Sequence, residues 1–104
     1  MLDSGFIGHF PVGGTVLLFV QVRAQNLAMA TPVGTPTYRI FRPDGFQTDT
    51  GDFSHAISGL TGFWVKPLEL TNPGDYQSGQ TYTVVSRYNY DGSNRSSIST
   101  FQVV

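Results

Sequence analysis

The chain contains no cysteine, so neither a disulfide framework nor a thiolate metal site can hold it together, and its stability has to come from packing. Charge is scarce as well: charged residues make up 12% of the sequence, against roughly 25% in ordinary soluble domains. Much of the surface must then be Thr, Ser, Asn, Gln and Gly, an exterior neutral enough to pack against other proteins. The net charge is −1, and the basic residues (Arg23, Arg39, Arg42, Lys66, Arg87, Arg95) are scattered. That distribution lacks the electrostatic footprint of a DNA or RNA binder. The longest apolar run, Val16 to Val20, is strand-sized and far short of the roughly 20 residues a membrane-spanning helix needs.

Catalytic and metal-binding patterns are missing too. His9 and His55 are far apart in sequence and fit neither HxH nor HExxH spacing. Gly-x-Ser-x-Gly is absent. All but one of the seven acids are Asp, most of them in turn contexts, and Glu69 stands between Leu68 and Leu70, so no carboxylate pair flanks a cleft as glycosidase chemistry requires. Asp44, Asp49, Asp52 and Asp91 offer oxygens to calcium, and Asp49-Thr50-Gly51-Asp52 has a superficial likeness to an acidic calcium loop. It lacks the alternating ligands and final bidentate Glu of that pattern, and turn-forming Asp explains these residues without an ion. The expectation is a non-enzyme with no catalytic residue, cofactor or metal.

What the chain does contain is strand punctuation. Phe41-Arg42-Pro43-Asp44-Gly45, Leu70 to Asp75 and Tyr90-Asp91-Gly92-Ser93-Asn94 are turn clusters between runs of β-branched and aromatic residues. Thr15 to Gln25 alternates, with Val16, Leu18, Val20, Val22 and Ala24 on a core face and Leu17, Phe19, Gln21 and Arg23 opposite. Thr37 to Arg42 places Tyr38 and Ile40 together and turns at Pro43-Asp44-Gly45 into a strand over Phe46 to Thr48. Asp49 to Asp52 reads as a second turn, followed by a weaker strand from Phe53 to Ile57. Phe63 to Thr71 is interrupted by Pro67, which removes a ladder donor and predicts an edge position or a bulge. Thr81 to Tyr90 sets Tyr82, Val84, Ser86, Tyr88 and Tyr90 on one side, and Asp91-Gly92 closes a hairpin into Ser96 to Val104. Ala28 to Ala30 has room for one helical turn at most, between Pro32, Pro36 and Gly34.

At 104 residues this predicts a single domain over 1–104 with one core. Residues 1–14 are a possible N-terminal arm, and the apolar final strand is expected to close a complete domain. If Met1 is the native start, no signal peptide follows it. About seven strands without a convincing helix argue for two antiparallel sheets packed face to face.

The segment Tyr76-Gln77-Ser78-Gly79-Gln80-Thr81-Tyr82-Thr83-Val84 resembles the corner before the penultimate strand of immunoglobulin-like sandwiches. There, a tyrosine hydroxyl bonds back to the preceding loop. The resemblance implies that role for Tyr82 and places Val84 where antibody domains carry a cysteine. With no cysteine, and with Trp64 in the fifth strand region, the chain is more similar to the disulfide-free immunoglobulin-like modules of bacterial surface proteins and of tailed-bacteriophage capsids and tails. That likeness implies an all-β, immunoglobulin-like sandwich of about seven strands serving as a virion protein assembled in the host cytoplasm. The expected role is capsid decoration or cement, with a tail position as a variant, and the expected partners are other virion proteins or copies of itself in a larger assembly. The alternative is a carbohydrate-binding or adhesion module of a cell-surface protein.

Two residue groups are candidate contacts. Phe6, Ile7 and Phe10, set among glycines, form a possible subunit contact. Trp64, Tyr88 and Tyr90 form a possible ligand or partner surface, although aromatics in a small domain without disulfides are mostly core. Edge strands invite pairing unless charge or proline guards them. Lys66 and Pro67 guard one strand, whereas Phe6 to Phe10 and Phe101 to Val104 carry almost no charge.

Overall fold

The computed structural model describes residues 3–23, 30, 32, 34–56, 62–71 and 75–104. Ala24, Ile57, the possible helical turn at 28–30 except Ala30, and residues 72–74 of the 70–75 turn cluster lie outside them. Among the described residues there are eight strands: β1 (Asp3–Phe10), β2 (Thr15–Gln21), β3 (Thr37–Phe41), β4 (Gln47–Asp52), β5 (His55–Ala56), β6 (Phe63–Glu69), β7 (Thr81–Tyr90) and β8 (Ser93–Val103). They form a five-stranded sheet in the order β1-β8-β7-β3-β4 and a three-stranded sheet in the order β2-β6-β5. No helix among the described residues is long and apolar enough to cross a membrane.

The core lies between the sheets because alternation sends every second residue inward. Val16, Leu18, Val20, Leu68 and Leu70 from the smaller sheet and its end meet Tyr38, Ile40, Tyr82, Val84, Phe101 and Val103 from the larger one. Val16, Leu18 and Val20 retain 0%, 1% and 2% of their exposure. Burial on that scale contributes about 1.5–3 kcal/mol for a large aliphatic side chain, which is how a chain without disulfides holds its layers together.

Two turns follow their residue chemistry. Asp91 and Gly92 both have positive φ, 51° and 76°, and Tyr90 faces Ser93 directly. This is the mirror-image two-residue hairpin turn that suits twisted strands. Gly45, at φ 89°, donates to the Arg42 carbonyl at 2.9 Å while the Arg42 amide donates to the Phe46 carbonyl at 2.8 Å. Asp44 Oδ1 accepts from the Phe46 amide at 3.0 Å, and Asp44 Oδ2 meets Arg42 Nη2 at 3.0 Å. That amide first, and the guanidinium after it, lower the pKa of the Asp44 carboxyl below its ordinary value.

The structure corrects the sequence reading in several places. Asp49 to Asp52 is the larger, C-terminal part of β4, not a turn. It runs in register with β3, and the Thr48 and Thr50 hydroxyls donate back to the Ile40 and Tyr38 carbonyls at 3.3 and 3.2 Å. Pairing to a strong neighbour overrides a weak local preference. The strand expected from Phe53 starts later, at His55, because Phe53 turns into the core and its amide donates to the Pro36 carbonyl at 2.9 Å.

β6 is the middle strand of its sheet rather than an edge. Leu70 donates to the Gly14 carbonyl and Val22 to the Gly62 carbonyl, so the even-numbered residues of β2 hydrogen-bond to β6. Pro67, opposite Leu17, therefore aims its donorless nitrogen away from β2. On that side β5 pairs only with Trp64 and Val65, so Pro67 sits on a local edge of a central strand.

The sandwich is not antiparallel throughout, since β1 pairs with β8 in parallel. Chain ends separated by the whole domain are free of the hairpin constraint. β8 is accordingly an interior strand, covered on both sides by β1 and β7.

Candidate contact surface

Tyr82 occupies the corner expected of it. Its ring is fully buried and stacks with Phe101 at 5.5 Å between centroids, with an interplanar angle of 19°. Its hydroxyl donates to the Asp75 carbonyl and accepts from the Gln77 amide, both at 2.8 Å. One side chain thus ties β7 to the loop that precedes it. Tyr76 packs on the same cluster, 5.2 Å from Tyr82; its hydroxyl is buried, with the Thr48 side chain near enough to act on it. Burial foremost raises the pKa of that phenol.

The first candidate group lies along β1. The register with β8 slips between Phe6 and Gly8, leaving Ile7 as an extra residue, and Gly8 takes φ 147°, a conformation L side chains rarely adopt. This bulge resets the alternation, so that Ile7 and Phe10, three residues apart, both pack against the core. Phe10 meets Phe101 edge-on at 6.4 Å. Phe6 alone of the three turns to solvent, 56% exposed, with its ring against His9 at 5.1 Å.

The second group is divided between the sheets. Trp64 is on β6, opposite Val20, while Tyr88 and Tyr90 are on β7. Trp64 and Tyr88 pack against the core, and Tyr88 accepts a hydrogen bond from the Arg23 amide at 3.2 Å. Tyr90 stands half-buried at the hairpin end. Among the described residues, the last of β7 paired to β3 is Arg87 and β1 pairs with β8 from Ser97 onward. Residues 88–95 therefore extend as a two-stranded ribbon past the described parts of both neighbours. The three aromatics do not form a line on one face.

The surface that sequence reasoning left unnominated is β2. Its outward residues Leu17 and Phe19 are 52% and 49% exposed, and β2 is an edge strand of its sheet. Between that edge and the β1–β8 pair opens a cleft of about 390 Å³, lined among others by Ile7, Ile98, Phe19, Val20 and Arg23. The signal was in the alternation, which put Leu17 and Phe19 opposite the core face, but only the strand order makes β2 an edge. Among the described residues, no three His, Cys, Asp or Glu side chains gather as a metal site. No protein-family model, curated protein or solved structure matches this chain.

Proposed function

We propose that this chain is an immunoglobulin-like sandwich acting as a non-enzymatic assembly protein, a capsid decoration (cement) or tail component of a bacteriophage particle that works through protein–protein contacts. Three features support the immunoglobulin-like part. The smaller sheet, β2-β6-β5, corresponds to the B-E-D order of that fold, and β8-β7-β3-β4 corresponds to G-F-C-C′. Tyr82 bonds back to its preceding loop at the start of the F-like strand. The chain departs from antibody constant domains in that β1 joins the G-like strand in parallel instead of pairing with β2.

The observation that carries the assembly role is the uncharged strand TVLLFVQ, paired to β6 on one side and an edge on the other, in a domain with few charges anywhere. A neutral apolar edge is costly to leave exposed and is well suited to association. The carbohydrate-binding alternative draws less support, because Trp64 and Tyr88 pack inward and leave no aromatic platform.

The particle role is tested in two stages. Its gene is expected to stand beside capsid, portal or tail genes, and the purified chain to co-sediment with particles from the same genome that lack it. Failure to bind such particles, together with Trp64 fluorescence that oligosaccharides quench, would replace this proposal with the carbohydrate reading.

A further inference from the structure

We propose that the open edge of β2 is a self-association site. It takes β2 of a second copy, antiparallel across a two-fold axis at Leu18, so that two three-stranded sheets join into one of six strands. This deepens the assembly reading by naming a partner and a surface, and it stands on geometry independent of any particle.

The hydrogen-bonding phase comes first. Because the even residues of β2 bond to β6, the backbone amides and carbonyls of Thr15, Leu17, Phe19 and Gln21 point to the free edge. Among the described residues these outward groups have no partner. The edge is closed only at its far end, where the Tyr88 hydroxyl takes the Arg23 amide.

The second observation is self-complementarity. β2 begins and ends on odd residues, Thr15 and Gln21. Laying the strand antiparallel on itself with full overlap therefore sets outward-pointing residues opposite outward-pointing residues: Thr15 against Gln21 and Leu17 against Phe19. Each such pair exchanges two hydrogen bonds. A strand one residue longer or shorter would be out of phase in its full-overlap register. Leu18 then faces Leu18 and Val16 faces Val20, with the inward side chains still buried in their own cores.

Side-chain chemistry agrees. On the outer face, Leu17 and Phe19 of each copy form a four-residue apolar cluster, covering two side chains that the single chain leaves about half exposed. Cross-strand aromatic–aliphatic pairs of this kind are favourable. The strand has no charge and no proline to oppose the pairing. An isologous contact of this kind closes at two copies and does not propagate. A seam of one strand a side belongs among small interfaces, below about 1,200 Å², so dissociation in the micromolar range is expected.

Sedimentation velocity over a concentration series of the purified full chain tests the proposal. A reversible monomer–dimer equilibrium is expected, and Phe19→Lys should weaken it at least tenfold while circular dichroism and the melting temperature stay as in the parent. The register is tested by exploiting the absence of cysteine. Leu17→Cys and Phe19→Cys chains, mixed and oxidised, should form disulfide-linked dimers, whereas either variant alone should form far fewer, because the like positions lie diagonally across the seam. A chain that remains monomeric at hundreds of micromolar overturns the assignment, as does a dimer unaffected by Phe19→Lys or equal cross-linking in the single-variant samples. A monomeric result would leave particle binding open, and a dimer that binds no particle would leave the edge pairing intact while removing the virion role.

Discussion

β2 and β4 are both sheet edges, one in each layer, yet they treat their free sides in opposite ways. β4 reads QTDTGD: two acids, two threonines that bond back to β3 and a glycine beneath Tyr38, with no large apolar side chain. β2 reads TVLLFVQ, with apolar residues on both faces and no charge. An acidic edge repels an incoming strand and has no apolar surface to offer it, whereas an uncharged apolar edge has nothing to discourage one. The proposed pairing of β2 turns on this contrast between two edges.

The inner side of β2 should show the largest effect. Leu18→Ala empties a position retaining 1% exposure and should cost about 2–5 kcal/mol in chemical unfolding; a loss below about 1 kcal/mol would mean that β2 is not anchored as described. Tyr82→Phe supplies a reference away from both edges. It removes the hydrogen bonds to the Gln77 amide and the Asp75 carbonyl and should cost about 1–3 kcal/mol.

On β4, the test is Gly51→Ala. A methyl group there would lie 3.0 Å from the Tyr38 hydroxyl oxygen, and the Tyr38 ring is held edge-on against Phe53 at 5.7 Å. Crowding a buried ring with little room to yield should cost about 1–3 kcal/mol, and an unchanged melting temperature would show that the ring moves freely.

Alkaline titration examines the same corner. Burial first, then the charges of Asp49 and Asp52, raise the pKa of the Tyr38 phenol above its ordinary value. The folded chain therefore holds that proton more tightly than the unfolded chain, whose phenol ionises near pH 10. This contribution is complete below about pH 10 and is lost as pH rises through the folded-state value. Denaturation followed from pH 8 to 12 should show the decline, and Tyr38→Phe should make it shallower. The smallest expected change in stability, within about 0.5 kcal/mol, belongs to Phe19→Lys on the outer side of β2. Set beside Leu18→Ala, it separates the two faces of one strand.

Legibility in the sequence tracked how local the deciding physics was. β2, β3 and β7 were readable because strict alternation between a buried face and its opposite is a property of consecutive residues, and Val16, Leu18, Val20, Tyr38, Ile40, Tyr82 and Val84 all lie in the core as that pattern required. The Asp91-Gly92 hairpin was readable because its backbone demands residues tolerant of positive φ. The corner tyrosine was readable only through a family likeness. The Asp49 to Asp52 part of β4 was misread because Asp and Gly are turn-formers individually, and only the ladder with β3 makes the segment a strand.

The contact surfaces were harder to read for a related reason. Ile7 and Phe10 share a face through a bulge at Gly8 that breaks the period. Trp64 and Tyr88 looked available on composition and were claimed by the core. Leu17 and Phe19 were placed on the correct face of their strand, but nothing in neighbouring residues says whether another strand lies alongside them.

From its residues alone the chain was bound to be all-β, free of disulfides and poor in charge, since alternation, turn chemistry and composition act over a few positions and need no distant partner. Which strands became edges, that β1 would run parallel to β8, and that Pro67 could occupy a central strand were decided only when segments far apart in the chain came together. Those outcomes depend on backbone hydrogen bonds between remote residues, and such bonds carry no signature in the side chains of either partner.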